Sequence, residues 1–141
     1  MPMIDITAPE GIFPESTEAA LLQRAAEALI KWEHVTGIPI ATSNTGAYLN
    51  ILPKRRVTAG GQPDDVVRVE LLTPVGALQQ EQRQGITADI TDIVVELSGR
   101  PELRARTWVL FHQAVDGGWG IGGVAYTNAG LGDWIRASLK R

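Results

Sequence analysis

The chain has 141 residues, of which 44% are hydrophobic and 21% are charged, and this composition predicts one globular domain over residues 1–141 with a core of its own. Its 13 basic and 16 acidic residues give a net charge of −3, which disfavours nucleic acid as a partner because nucleic-acid binders normally carry a basic surplus. The absence of cysteine excludes disulfides, thiolate metal sites and a cysteine nucleophile. Two histidines leave little for a histidine-rich metal site.

The N-terminus predicts neither export nor membrane insertion. It reads Met-Pro-Met-Ile-Asp, without the basic segment and apolar run of a secretory signal. The apolar stretches elsewhere are far shorter than the roughly 20 residues that span a membrane. We therefore expect a soluble cytoplasmic protein with no membrane partner.

The first part of the chain predicts a strand, a helix and a second strand. Residues 3–8 alternate apolar and polar side chains, which is the period of a strand with one buried face. A helix is predicted over residues 14–36, because proline suits a first helical turn and an apolar stripe follows it. Gly37 and Pro39 are typical of a helix end. The next strand is predicted over residues 47–52.

The middle of the chain predicts the same order of elements again. Residues 53–65 have the composition of a turn region and contain a Lys-Arg-Arg cluster. A strand is predicted over residues 66–72, a helix over 77–97 and a further strand over 107–115. Gly85 lies inside the predicted helix and should weaken it by about 1 kcal/mol relative to alanine.

A glycine-rich segment at residues 117–123 contains the G-x-G-x-x-G spacing of dinucleotide-binding loops. We reject that interpretation because too few residues follow for the helix, second strand and acidic residue that such a site needs. The segment instead predicts a tight turn. A short strand to Tyr126 and a C-terminal helix over residues 131–141 complete the chain.

The two halves form an internal repeat. The helix ends Gly37-Ile38-Pro39 and Gly99-Arg100-Pro101 stand 62 positions apart, and the strands that follow keep this offset. We predict an α+β fold of two β-α-β units, residues 2–65 and 66–126, which form a four-stranded mixed sheet with two helices on one face. The other face and the sheet edges stay uncovered, which favours self-association.

Pro2 is a candidate catalytic group. Removal of an initiator methionine before proline would free a secondary amine, and an apolar pocket would lower its pKa from the ordinary α-amino range of about 7.7–8.0. Such an amine is an effective general base near neutral pH. A proline at the second position is common, however, and alone says little. While Met1 is attached, the prolyl nitrogen is an amide and cannot act as a base.

Three features together resemble the tautomerase superfamily: Pro2-Met3-Ile4 at the start of a strand, the two β-α-β units, and the segment Gly118-Trp119-Gly120-Ile121-Gly122-Gly123. The glycine segment is similar to that of oxalocrotonate tautomerase. The double length resembles macrophage migration inhibitory factor, malonate semialdehyde decarboxylase and cis-chloroacrylate dehalogenase. The resemblance implies a homotrimer, an N-terminal proline that acts as catalytic base or acid, and no metal or organic cofactor.

The resemblance also assigns residues. Pro2 matches the catalytic proline, and Trp119 matches the aromatic residue that lines the pocket and keeps the proline nitrogen dry. Trp108 stands where oxalocrotonate tautomerase has a substrate-binding arginine. Residues 11–13 and 73–77, where relatives carry further arginines, contain none. These departures argue against dehalogenase, decarboxylase and dicarboxylate-tautomerase activity, and they favour a more hydrophobic substrate or a changed role.

An enolate formed in the site would need a stabilising group. The candidates are Arg55 and Arg56, which would reach a neighbouring subunit's pocket, His112, and backbone N–H groups near Gly120. The plainer interpretations are a solvated turn for the two arginines and a packed, hydrogen-bonded side chain for His112. Phe13 is a further candidate for the pocket wall.

Two hypotheses follow from the sequence. The leading one is a tautomerase-like isomerase in which Pro2 performs keto–enol proton transfer on a small 2-oxo acid or a related carbonyl compound. The alternative is a non-catalytic, trimeric binding or interaction member of the same fold.

Overall fold

A computed structural model describes residues 1–141. It contains eight strands, four α-helices and three short 3₁₀ turns. The strands are β1 (Met3–Pro9), β2 (Gly46–Leu52), β3 (Thr58–Ala59), β4 (Gln62–Pro63), β5 (Val67–Pro74), β6 (Thr107–Ala114), β7 (Trp119–Ile121) and β8 (Val124–Tyr126). The helices are α1 (Glu18–Trp32), α2 (Pro39–Ser43), α3 (Gln80–Ser98) and α4 (Asn128–Ser138). No helix is long and apolar enough to cross a membrane.

The main sheet has four strands in the order β2-β1-β5-β6. β1 is parallel to β2, β5 is parallel to β6, and the two pairs join through the antiparallel contact of β1 with β5. Each parallel pair is connected through a helix, α1 in the first unit and α3 in the second. The predicted mixed sheet of two β-α-β units is therefore confirmed.

The core lies between the sheet and the helices α1 and α3. Alternate residues of the two central strands face it and are completely buried, which is the pattern that a period of two produces. The helices contribute residues at helical spacing to the same cluster. Its members include Ile4, Ile6 and Ala8 of β1, Val67, Val69 and Leu71 of β5, Leu21, Ala25 and Leu29 of α1, and Ile86, Ile90 and Val94 of α3.

The opposite face of the sheet is open. Four large side chains on it, Tyr48, Leu72, Trp108 and Leu110, are between 38% and 54% exposed. The outer edges of β2 and β6 have no strand partner. The same face carries the charged residues Asp5, Arg68 and Glu70, so it is a mixed surface. Exposed large apolar side chains and two free edges favour contact with further copies of the chain.

Several helix boundaries differ from prediction: α1 and α3 begin at residues 18 and 80 rather than 14 and 77, and α4 ends at residue 138. α1 ends at Trp32 rather than residue 36, because His34 takes the left-handed conformation (φ 59°) that interrupts a helix. Pro39 then begins the short helix α2, which the sequence did not predict. The C-terminal helix begins at Asn128 rather than residue 131, since Thr127 caps it: Thr127 Oγ1 accepts a hydrogen bond from Gly130 N at 3.0 Å.

The glycine segment forms the predicted tight turn. Gly122 and Gly123 have φ angles of 60° and 83° and connect β7 to β8 as a two-residue hairpin loop. Such a loop needs positive φ at both positions, a conformation that glycine adopts without strain.

The absence of a side chain at Gly85 leaves the space that the Trp32 ring fills. A Cβ atom at position 85 would lie 2.1 Å from the Trp32 ring. In this position Trp32 Nε1 donates a hydrogen bond to Asp89 Oδ2 at 2.8 Å. Glycine at residue 85 therefore lowers the helix propensity of α3, but it allows α1 and α3 to pack closely.

We predict that Gly85→Ala destabilises the protein by about 2 kcal/mol, because the cost of overpacking exceeds the gain in helix propensity. In a Trp32→Ala background the same change should instead stabilise by about 1 kcal/mol, since the clash is gone. Urea unfolding of the four proteins measures both effects. Stabilisation by Gly85→Ala in the presence of Trp32 would contradict this packing.

Asp89 gives a second prediction, on acid stability. Its partial burial acts to raise the carboxyl pKa, but hydrogen bonds from Trp32 Nε1 and Lys31 Nζ outweigh burial and bring the pKa below the ordinary 3.8. A lowered pKa contributes stability that is fully present above pH 3.8 and is lost as the pH falls through the lower, folded-state value.

Asp89→Asn should therefore flatten the pH dependence of the unfolding free energy below about pH 4, the ordinary range of an aspartate carboxyl. The exposed Glu81 makes no ion pair and supplies the control, Glu81→Gln, which should keep the slope of the parent protein. An unchanged slope in Asp89→Asn would contradict the prediction.

Candidate active site

A cavity of about 280 Å³ lies at the N-terminal end of β1. Three parts of the chain meet there: the end of α1, the turn that follows β5, and α4. Its lining is mostly apolar, and Glu33 is its only ionisable side chain. The lining residues are Met1, Glu33, Val35, Pro74, Val75, Gly76, Ala77, Asn128, Leu131, Gly132 and Ile135.

The N-terminus of the chain is buried in this cavity. Met1 is 6% exposed, and its ammonium nitrogen lies 2.8 Å from Glu33 Oε2, whose side chain is also 6% exposed. Pro2 is buried, and its carbonyl accepts a hydrogen bond from Gly46 N at 3.1 Å. Because Met1 is attached, the nitrogen of Pro2 is a peptide nitrogen here.

Glu33 occupies an unusual electrostatic position. It follows directly after Trp32, the last residue of α1, where the helix dipole disfavours a negative charge. The N-terminal ammonium compensates for this cost. Sequence analysis did not select Glu33, although an acid at a helix C-terminus was a signal that could have found it.

The hairpin β7–β8 brings Trp119 to the same region. Trp119 is 6% exposed and belongs to one apolar cluster with Met1, Ala41 and Leu131. This cluster is separate from the main core. The structure therefore places Trp119 and the N-terminus in one cluster, while the role of Trp119 in keeping the proline nitrogen dry stays a prediction.

The helix α4 closes one side of the cavity. Asn128 Nδ2 donates a hydrogen bond to the Val75 carbonyl at 2.6 Å, which ties the start of α4 to the turn after β5. Tyr126 and Trp134 stack with ring centroids 5.2 Å apart and hold α4 against the hairpin. Sequence analysis did not select Asn128 either, because its contact depends on a turn 53 residues away.

Trp108 and Arg56 lie at the other end of the sheet. Thr7, Arg68 and Trp108 form one row across the strands, whereas Met3, Leu72 and His112 form the row next to the N-terminus. The two rows are about 13 Å apart, at roughly 3.3 Å per strand residue.

Trp108 and Arg56 instead line a second cavity of about 250 Å³ together with Arg68 and Val66. Arg55 is exposed on the 3₁₀ turn Lys54–Arg56. Within one chain, the structure does not bring Trp108, Arg55 or Arg56 to the N-terminal cavity. Their predicted roles depend on a neighbouring subunit.

His112 and Phe13 are not part of the N-terminal cavity either. His112 is exposed on the open face, with Nε2 3.5 Å from Glu70 Oε1, and Glu70 also pairs with Arg68 at 3.8 Å. Phe13 is 7% exposed and packs in the main core. Within one chain Phe13 does not line this cavity, and its predicted place in the pocket wall stays a prediction.

Residues 66–129, which include β5 through β8, match the family model described as Tautomerase enzyme. The match covers the second β-α-β unit and the hairpin that follows it, so this part of the chain is similar to the tautomerase family. A comparison with curated proteins finds no significant match.

Solved tautomerase-fold structures are similar over most of their length. Pt0534 inactivated by 2-oxo-3-pentynoate is 20% identical with a TM-score of 0.75, covering 92% of this chain and 98% of that chain. The Q0 fused 4-OT symmetric trimer is 14% identical with a TM-score of 0.75 and the same coverage. Macrophage migration inhibitory factor of Toxoplasma gondii is 16% identical with a TM-score of 0.71, covering 88% and 99%. At these identities the similarity shows the shared fold.

We predict that Thr127→Ala loosens the wall of the cavity formed by α4. Loss of the cap should cost about 1 kcal/mol of unfolding free energy and speed amide exchange at Leu131 and Ile135. Thr17→Ala is the matched control, because Thr17 stands at the N-cap of α1 without a capping bond to it. Equal amide exchange at these positions in Thr127→Ala and the parent protein would contradict the prediction.

Proposed function

We propose that this protein is a tautomerase-like isomerase that uses Pro2, freed of Met1, for keto–enol proton transfer on a small carbonyl compound, such as a 2-oxo acid or a related ketone. The observation that carries the proposal is the burial of the N-terminus in an apolar cavity. A nitrogen at that place is shielded from water, and burial favours the uncharged form of an amine. The family match over residues 66–129 supports the same chemistry.

The proposed step is a balanced proton transfer. The Pro2 nitrogen takes a proton from the carbon next to the carbonyl, and the electron pair of that C–H bond moves to form the enolate. The resulting prolinium lies beside the enolate and stabilises it as an ion pair. Return of the proton to the enolate oxygen gives the enol and restores the neutral amine.

The alternative is a non-catalytic binding member of the superfamily. One observation favours it: with Met1 attached, the N-terminal ammonium is paired with Glu33, and the nitrogen of Pro2 is a peptide nitrogen that cannot act as a base. The state of residue 1 in the mature protein therefore separates the two functions.

Self-association is part of the proposal. The exposed apolar side chains and two free edges of the sheet favour a partner, and the fused 4-OT structure with the same fold is a trimer. We propose a homotrimer, in which Arg55, Arg56 and Trp108 of one subunit would approach a neighbour's site. A cytoplasmic location also stays a prediction.

The test compares the chain that begins at Pro2 with the chain that keeps Met1, each verified by intact mass. Enol–keto conversion of phenylpyruvate and of its methyl ester should be catalysed only by the chain that begins at Pro2. Pro2→Ala should lower the rate by about 100-fold, the lower range for loss of a general base.

Pro9→Ala is the matched control, because it makes the same substitution at the far end of β1. It should retain the parental rate. Equal rates for Pro2→Ala and the parent protein on both compounds would contradict the enzymatic proposal and favour the binding function.

A further inference from the structure

We propose that the N-terminal cavity selects carbonyl compounds that carry no negative charge, and that Glu33 is the residue that sets this preference. This inference rests on the proposed function for its kinetic consequence, and it names the substrate class of the same site. The charge distribution of the cavity supports it.

The cavity contains a carboxylate and no cationic side chain. Of its 11 lining residues, Glu33 alone has an ionisable side chain, and neither lysine, arginine nor histidine is among them; the one cation present is the N-terminal ammonium, which the reaction requires as a neutral amine. The Glu33 side chain is 6% exposed, so water screens its charge poorly. An anionic substrate would bring a second negative charge into a volume of about 280 Å³, where like charges repel strongly.

Glu33 faces the place where the reaction would occur. Its Oε2 atom lies 2.8 Å from the Met1 nitrogen, and the Pro2 nitrogen follows one residue later in the chain. After removal of Met1, the carboxylate and the Pro2 amine would share the emptied space. The protonated amine formed in the reaction then has a counter-ion in the protein, so the substrate does not need to supply one.

The arginines that could reverse this preference lie elsewhere in the chain. Arg56 and Arg68 line the second cavity at the opposite end of the sheet, which has no acidic lining residue. The side chains that line the two cavities thus carry opposite charge. Within one chain, neither of these arginines lines the cavity that contains Glu33.

The test uses two acids and their methyl esters, and each ester lacks the negative charge of its acid and adds one methyl group. In the chain that begins at Pro2, phenylpyruvate methyl ester should have a kcat/KM at least 10-fold above that of phenylpyruvate. Glu33→Gln keeps the shape of the side chain and removes its charge. It should reduce this ratio at least 10-fold, because the kcat/KM for phenylpyruvate rises. Glu33→Asp, which keeps the charge, should retain a preference for the ester.

Binding provides a readout that does not require turnover. Methyl 3-phenylpropanoate should shift the amide resonances of Gly76, Ala77 and Gly132 at lower concentration than 3-phenylpropanoate does. Glu33→Gln should remove this difference. Glu27→Gln, an exposed acid on α1, is the control and should leave both preferences unchanged.

The outcomes separate this inference from the proposed function. A wild-type preference for the acid, or an ester-to-acid ratio that Glu33→Gln does not change, overturns the inference while Pro2-dependent turnover still stands. An acid preference would mean that a neighbouring subunit's arginine enters the site. Absence of Pro2-dependent turnover on both compounds would contradict the enzymatic function. In that case the binding comparison by itself tests whether the cavity prefers uncharged ligands. Failure of both ligands to shift those resonances also overturns it.

Discussion

The antiparallel contact between β1 and β5 determines the layout of the whole protein. Each β-α-β unit makes a parallel pair of strands by itself, and only this contact joins the two pairs into one sheet. Because the central strands run in opposite directions, the units begin at opposite ends of the sheet. A cavity forms near each beginning, one around Met1 and one beside Val66. The internal repeat therefore produces two related places with different chemistry.

The N-terminal cavity depends on a small set of polar contacts in apolar surroundings. A buried ion pair compensates for its own desolvation only when the geometry is good, and the 2.8 Å contact between Met1 and Glu33 meets that condition. The same contact offsets the unfavourable position of an acid at the end of α1. The second apolar cluster, around Trp119 and Leu131, provides surroundings of low dielectric constant. Such surroundings strengthen the electrostatic interactions of the Glu33 carboxylate.

Much of the fold could be predicted from the sequence, because its signals are local. The period-two pattern of residues 3–8 and the Gly-x-Pro stops at 37 and 99 depend only on neighbouring residues. The end of α1 was misplaced because His34 takes a left-handed conformation that its residue type permits but does not require. The sequence indicated that Gly85 lowers the stability of its helix. It did not indicate that Gly85 makes room for the Trp32 ring, because Trp32 lies on another helix.

The site was less predictable than the fold. Pro2 and Trp119 were selected through a resemblance to known proteins, and the structure places Trp119 in the cluster that contains Met1. Arg56 and Trp108 were assigned to the same site, but strand register separates them from it within one chain. Glu33 and Asn128 were missed because their importance comes from contacts with Met1 and Val75, which only the folded chain creates.

The central position of β1 has a consequence for the maturation of the protein. The first strand is sandwiched between β2 and β5, so its pairing is complete only after residues 67–74 have emerged and folded back. From then on Met1 is enclosed, with its side chain 1% exposed. An aminopeptidase that removes Met1 would therefore have to act on the nascent chain, before the sheet closes over the first residue.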